Sequence, residues 1–483
     1  MSAATIVALV HGVIALGLSL RVVMRNLAPG VSLAWLLLIV AFPFGGALIY
    51  LLVGERPLGR VRVARIRALR APLRECFANM KQVAGVDPAV LRPAQERLAT
   101  IAMRSGSAPL IRSGETRIID GADAIIHAII ADLDRAQHTC DMAFYIWNEG
   151  GLADAAMATL MRAAARGVRC RLLLDAVGSA DFLRSAQPQR LRAAGVAVVV
   201  ALPVGVIRAL FVRVDLRMHR KIVVIDDAIG YTGSMNMVDP RFFKQNAGVG
   251  EWVDAMLRFV GPPAAALKAV FLESWAAEAR EPLSPDEIAI ADIATPASTA
   301  AAPSCLIMPS GPENTVDSVR RLVVNALYAA QREVVITTPY FVPDEPLMAA
   351  LESAALQGVA VTLILPARND SHLVGFASRS YFEALLQAGA RILQFEGGLL
   401  HTKSLTVDGE TTIFGTFNLD IRSMRLNFEV AALMFDATTA GAVRALQARY
   451  ETRAPALDLA TWRQRNRRTR FLESAARIMS PLL

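Results

Sequence analysis

Two stretches of this 483-residue chain repeat one pattern, His-x-Lys-x4-Asp followed by Gly-Ser/Thr-x-Asn, and that repeat requires a fold built from two like halves. The copies are MHRKIVVIDD, with His219, Lys221 and Asp226, and LHTKSLTVDG, with His401, Lys403 and Asp408. Every equivalent position is separated by the same offset, including Gly233 with Gly415, Ser234 with Thr416 and Asn236 with Asn418. The likeness extends upstream, where AAARGVRCRLLLD answers to SAALQGVAVTLILP and LRAAGVAVVV to LLQAGARILQF. Each half reads as helix, apolar strand, helix, apolar strand, a second helix and strand, then the His-x-Lys hairpin. The fold class is therefore α/β, with two halves related by a pseudo-twofold axis. Gly167 with Gly358 and Gly195 with Gly389 are spaced more widely than the two histidines, so the first half carries an insertion before its motif. That insertion lies in VVVALPVGVIRALFVRVDLRM and reads either as a core cap or as the lining of a lipid-facing mouth.

Side chains two apart on a strand share a face, so His219 emerges with Lys221 and His401 with Lys403. Contact between the halves places two imidazoles, two ammoniums and two amides around one phosphate. Lys221, Lys403, Asn236 and Asn418 would meet the charge that grows on a phosphodiester under attack, with Ser234 and Thr416 supporting them. Loss of one such donor typically costs roughly 10²- to 10³-fold in rate. Two histidines supply a nucleophile and a general acid. Glu251 and Glu429, each downstream of its Asn turn, are the candidates to hold the ring tautomers. Asp226 and Asp408 complete the catalytic motif, with a purely structural turn role open for both. No Asp/Glu/His cluster has metal spacing and no nucleotide-binding glycine pattern occurs, so neither metal nor cofactor is expected. His11, His127, His138 and His372 show no ligand spacing to one another.

These motifs, with TPYFVPDE, GTFNLDIRSMRLNFE and the N-terminal SLAWLLLIVAFPFGGALIYLLVGERPLGR, resemble the phospholipase D superfamily and, within it, the bacterial cardiolipin synthases. The resemblance implies a bilobal fold, a phosphohistidine intermediate on His219 with His401 as general acid, and transfer of a phosphatidyl group between two phosphatidylglycerol molecules with release of glycerol. Asp420, Arg422 and Asn427 belong to the same stretch as Glu429, either bracing the loop or touching substrate. A hydrolytic phospholipase D or a membrane-attached nuclease is the alternative.

Composition favours a membrane setting. The chain is 54% hydrophobic with a mean hydropathy of +0.39, and Val31 to Val53 carries no charge and is long enough to span a bilayer. Ala4 to Leu20, at the short limit for a span, makes the first arm of an expected two-span hairpin. Arginines are sparse between the spans (Arg21, Arg25) and dense after them, from Arg56 to Arg74, which predicts an inner-membrane protein with a cytoplasmic catalytic body. The four cysteines suggest neither disulfides nor a metal site. Residues 1–75 carry +7 and residues 461–483 carry +5 of a net +8, leaving an acidic body that suits anionic lipid at the chain's ends and not nucleic acid. The basic C-terminal stretch reads as an anionic-surface contact or as a solvated helix docked by its apolar side. The expected organisation is a membrane hairpin with basic arm over 1–75, a connector to about 105, a first half over 106–280, a linker over 281–304 and a second half over 305–483.

Overall fold

A computed structural model describes all residues except 1, 26–28, 55–59, 206–214, 280–282, 285–287, 289–302, 313–316 and 481–483. Most of the expected linker, and residues 206–214 of the apolar insertion, lie outside the described residues. The chain divides into two compact units, Met1–Ala64 with Val204–Asp215, and Arg65–Pro203 with Leu216–Leu483.

In the first unit, α1 spans Ala3–Met24 and α2 spans Pro29–Ala41. They meet through Ala15, Val22, Ile39 and Tyr50, with Leu18, Trp35 and Leu36 packed alongside. Val13, Leu16, Leu33 and Leu37 point away from that seam, each more than 60% exposed. An apolar outer face of this kind is stable where something other than water covers it. With 22 residues, α1 is long and apolar enough to cross a membrane. The stretch expected as the second span, Val31–Val53, is an interrupted helix. The helix stops at Ala41, Pro43 withholds a backbone donor, and Phe44 takes a φ of 58°. It restarts as Gly45–Ile49 and ends in a π-helical turn at Tyr50–Gly54. Glycine is needed at 46, because a Cβ there would stand 2.0 Å from the Leu38 carbonyl oxygen.

The second unit is built on two large sheets. The first is formed by β1 (Thr116–Asp120), β2 (Thr139–Phe144), β3 (Arg169–Asp175), β4 (Ala197–Ala201), β5 (Ile222–Ile225), β6 (Ile229–Gly233) and β7 (Ala255–Val260), in the order β1-β7-β6-β5-β2-β3-β4. The second is formed by β8 (Ser304–Ser310), β9 (Glu333–Thr337), β10 (Ala360–Pro366), β11 (Arg391–Phe395), β12 (Ser404–Val407), β13 (Thr411–Gly415) and β14 (Glu429–Met434), in the order β8-β14-β13-β12-β9-β10-β11. Position by position the two orders are the same. Their senses also agree: β2-β3-β4 and β9-β10-β11 run parallel, and the remaining neighbours are antiparallel. Ile111–Arg112, which precedes β1 in the chain, adds to the edge of the second sheet beside β8.

Such strands are apolar on both faces because helices cover both. Ile125, Ile129 and Leu133 of α3 (Ala122–Arg135) and Ala156 and Leu160 of α4 (Leu152–Ala165) close one side of the first core. Fifteen of the 17 residues of α5 (Pro262–Glu278) are buried, so this helix has no solvent face and lies between the sheets, touching β5, β6 and β8. In the second half, α6 (Ser318–Ala329), α7 (Glu345–Leu356) and α8 (His372–Gln387) cover the outer side, while α9 (Ala437–Glu451) packs on β12 and β13 and reaches β1 of the first half. Helix α10 (Arg467–Ile478) lies against α8.

One buried ion pair stitches the first sheet internally. Arg171 on β3 donates to both carboxylate oxygens of Asp141 on β2 at 2.6 and 2.7 Å, with the pair 3% and 0% exposed and the guanidinium lying near Phe271 and Trp275. Removing one partner strands a charge in an apolar layer, so Asp141→Ala should destabilise the protein by about 3–5 kcal/mol. Asp141→Leu with Arg171→Met should recover most of that loss. Chemical denaturation of the variants measures both, and a single variant as costly as the pair would argue against the stranded-charge account.

Candidate active site

Each motif histidine stands on the extended segment that leads into a central strand, β5 or β12. The segments are not bonded to their own halves' carboxylates. His219 N–H donates to the carbonyl of Phe428 at 2.9 Å, and His401 N–H to the carbonyl of Val253 at 2.8 Å. Leu399–Leu400 pairs in parallel with Trp252–Val253, and Met218 forms the matching bridge to Phe428. Both contacts bring the residue after the accepting carbonyl, Glu429 or Asp254, under the other half's ring.

The rings are oriented by that exchange. His219 Nδ1 lies 2.9 Å from both oxygens of Glu429, and His401 Nδ1 lies 2.7 Å from Asp254 Oδ1. Each carboxylate is held in turn by the motif hydroxyl of its own half. Ser234 donates to Asp254 at 2.5 Å and accepts from Ala255 N–H, while Thr416 donates to Glu429 and accepts from Val430 N–H. Asn427 Nδ2 adds a 3.2 Å bond to Glu429. With Nδ1–H given to a carboxylate, the free nitrogen of each ring is Nε2.

Lys221 and Lys403 fold back to the carbonyls of His219 and His401 at 2.8 and 2.6 Å, and both side chains are fully buried. Asn236 Oδ1 accepts from Ile146 N–H, and Asn418 Nδ2 donates to Asp420. Tyr145 meets the His219 ring edge-on with centroids 5.0 Å apart, and Trp252 lies across His401 at 4.3 Å. Arg220, between the first His and Lys, is buried and donates to the Glu429 and Ser310 carbonyls and to Ser274, so it fastens the first motif to the second half.

Burial dominates the electrostatics. It pushes both imidazoles down to about 4, although Glu429 and Asp254 pull the other way. It also lowers Lys221 to about 8 and Lys403 to about 7. Burial alone would raise Glu429 and Asp254, but the rings and lysines beside them outweigh it and hold both carboxyls below their ordinary values. The site thus favours neutral rings beside ionised carboxylates. Among the described residues, no group of three or more His, Cys, Asp or Glu is arranged to hold a metal ion.

Two expectations need correction. Glu251 does not orient a ring: its side chain is exposed on the loop, its carbonyl accepts from Leu399 N–H, and Asp254 takes the position beside His401. Asp226 and Asp408 sit at the far ends of β5 and β12 from the histidines. Asp226 accepts from the N–H groups of Gln137, His138 and Thr139, and Asp408 from those of Gln331, Arg332 and Glu333, so both brace the hairpin turn against the start of a neighbouring strand. Sequence reasoning missed Asp254, Tyr145, Trp252 and Arg220. Asp254 had a signal: like Glu429, it is the acid that immediately precedes an apolar strand, AMLRFV or VAALMF.

A duplicated α/β body with two buried His-x-Lys segments facing each other defines the class of phospholipase D-like enzymes. Residues 129–254 and 323–450 match the family model described as cardiolipin synthase, PLD-like domain, and residues 3–55 match that of the phospholipase D-nuclease N-terminal segment. Cardiolipin synthase A of Klebsiella pneumoniae is 41% identical over 97% of this chain and 96% of its own length. The Salmonella arizonae cardiolipin synthase A is 41% identical over 99% and 98%. The chain belongs to the cardiolipin synthase family. A solved phosphatidylserine synthase from Haemophilus influenzae shares the fold, with a TM-score of 0.60 at 13% identity, covering 80% of this chain and 100% of that one.

An anion placed between the rings favours their protonated forms and those of the lysines. With His219 and His401 near 4 and Lys403 near 7, binding of an anion at pH 7.5 should draw protons in. Titration with glycerophosphoglycerol, a soluble phosphodiester, in buffers of different ionisation enthalpy should show net uptake approaching one proton. Net release would contradict the electrostatics described here.

Proposed function

We propose that this membrane enzyme makes cardiolipin from two phosphatidylglycerol molecules and releases glycerol, through a phosphatidyl-histidine on His219. The observation that carries the reading is the exchanged pair, each ring fixed by the other half's carboxylate with only Nε2 free. His219 Nε2 attacks phosphorus, the bond from phosphorus to the glycerol oxygen breaks, and protonated His401 gives its proton to that oxygen. The hydroxyl of a second phosphatidylglycerol then loses its proton to His401 and attacks phosphorus, and the P–N bond breaks to restore His219. Lys221 and Lys403 hold the charged equatorial oxygens, with Asn236 and Asn418 beside them. Ser234 and Thr416 act through Asp254 and Glu429, and Asp226 and Asp408 act by holding the strands. His219 is the more exposed ring, at 8% against 3%, which suits the atom a lipid phosphate reaches first.

The setting we infer is the inner membrane. Helix α1 and the interrupted second segment would anchor the chain, and the arginines after residue 55 would keep the catalytic body cytoplasmic. Family membership and the acidic body both favour lipid over nucleic acid as the partner.

Purified enzyme given phosphatidylglycerol alone should yield cardiolipin and glycerol in equal amounts, with a little phosphatidic acid where water takes the acceptor's place. Phosphatidic acid as the sole product would move the assignment to a hydrolytic phospholipase D.

The histidine roles are separable with radiolabelled phosphatidylglycerol. His219→Ala should form no covalent species, whereas His401→Asn should accumulate label slowly on the peptide bearing His219, with turnover lowered by at least about 10²-fold in both. Label on the His401 peptide of the His219→Ala protein would reverse the two roles.

A further inference from the structure

Helix α10 is docked the wrong way round for a soluble protein. The side that meets α8 is formed by Thr469, Glu473, Ala476 and Ser480, spaced by four, three and four residues. Glu473 is buried there and accepts from Arg379 at 3.0 Å, with Arg465 at 3.5 Å, and Ser480 bonds the Tyr381 hydroxyl. The outward side carries Phe471 at 70% exposure and Ile478 at 78%, and Leu472 and Met479, at 43% and 42%, lie on its shoulder. Arg467, Arg468, Arg470 and Arg477 surround these four, all exposed. An amphipathic helix placed for water would bury its Phe, Leu, Ile and Met and solvate its Glu. This one does the reverse.

We infer that α10 lies on an anionic bilayer surface, with Phe471 and Ile478 in the headgroup–acyl boundary and the arginines on lipid phosphates. Large apolar side chains ringed by arginine are the composition of an interfacial helix. The charge also decides between occupants. A second copy meeting this face across a twofold axis would set arginine against arginine, whereas an anionic leaflet neutralises them. The consequence is a second, surface contact with lipid from within the catalytic unit itself, independent of the apolar N-terminal helices.

The test reads the environment of this one face and does not depend on catalysis. Ser474→Cys, between Phe471 and Ile478 on the outer side, is labelled with an environment-sensitive fluorophore in a full-length Cys76→Ser background, and Asp181→Cys serves as the exposed control. In vesicles of two parts phosphatidylcholine to one part phosphatidylglycerol, the label at 474 should shift to the blue and be quenched by nitroxide-bearing lipids, while the label at 181 stays aqueous. In vesicles of phosphatidylcholine alone the shift should shrink, and Arg468→Glu with Arg470→Glu should lower surface partition on the order of fivefold per arginine. Circular dichroism and thermal melting of the variants would show that the fold is kept. Aqueous emission at 474 in both vesicle types would overturn the proposal. A blue shift without lipid quenching, accompanied by cross-links between copies through residue 474, would also overturn it and assign the face to self-association.

Discussion

The exchange of carboxylates between halves is the contact on which the rest of this enzyme depends. His219 is aligned by Glu429 and His401 by Asp254, so neither half contains a complete histidine–carboxylate pair. Each bond is set by backbone: the histidine N–H donates to the carbonyl just before the partner carboxylate, at Phe428 in one case and Val253 in the other. Burying two carboxylates is costly unless their charge is met. Lys221 and Lys403 meet it, two charges against two when both carry their protons. A phosphodiester upsets that balance by one negative charge, and a proton on an imidazole restores it. On the mechanism proposed above, the general acid would be generated by the substrate's own charge within a buried site.

Duplication explains how such a symmetric arrangement arises from one chain. The same strand order in both sheets places each His-x-Lys segment at the same end of its sheet, and packing those ends together creates the pseudo-twofold contact. α5 and α9, each covering the inner face of its own sheet and touching the other half, fill the space between. Arg220 and Thr402, the residues between His and Lys in the two motifs, both tie across the boundary. Arg220 reaches the Glu429 and Ser310 carbonyls, and Thr402 reaches the Val253 carbonyl. The unconstrained letter of the motif thus adds to the contacts that join the halves.

The motif residues were legible because their chemistry is written at fixed spacing. His219 and Thr416 meet on Glu429, His401 and Ser234 meet on Asp254, and Lys221 and Lys403 lie beside both pairs, while the α/β alternation is readable from apolar periodicity. The first-half carboxylate was misplaced for a definite reason. Spacing from the motif histidine points to Glu251, an acid that follows the Asn turn among strand-like residues, but the position is set by strand register: Gly233 pairs with Met256 and Gly415 with Ala431, each two residues beyond the acid that meets the ring. The stretch from Asn236 to Asp254 in the first half is longer than its counterpart from Asn418 to Glu429 in the second, and that longer loop hid the equivalence. Hydropathy likewise could not see that Pro43 breaks the second apolar helix. Nor could it see which side of α10 is docked, because the polar partners Arg379 and Tyr381 lie on a helix far away in sequence.

The proposed reaction, in which one histidine attacks and the other donates a proton, asks for two different surroundings, and departures from symmetry do lie at the rings. Tyr145 packs edge-on against His219, and its equivalent in the second half, by the pairing of Trp147 with Met237 and Phe341 with Leu419, is Pro339. His401 is instead covered by Trp252, supplied by the first half's longer loop. The same loop sets Lys244 over the Trp252 ring at 5.4 Å and bonds it to Asp370, which accepts from the Tyr340 hydroxyl. The indole face therefore has the imidazole on it and a cation nearby, both held by contacts that cross between the halves. The loop that obscured the carboxylate in the sequence is the element that distinguishes one histidine from the other in the fold.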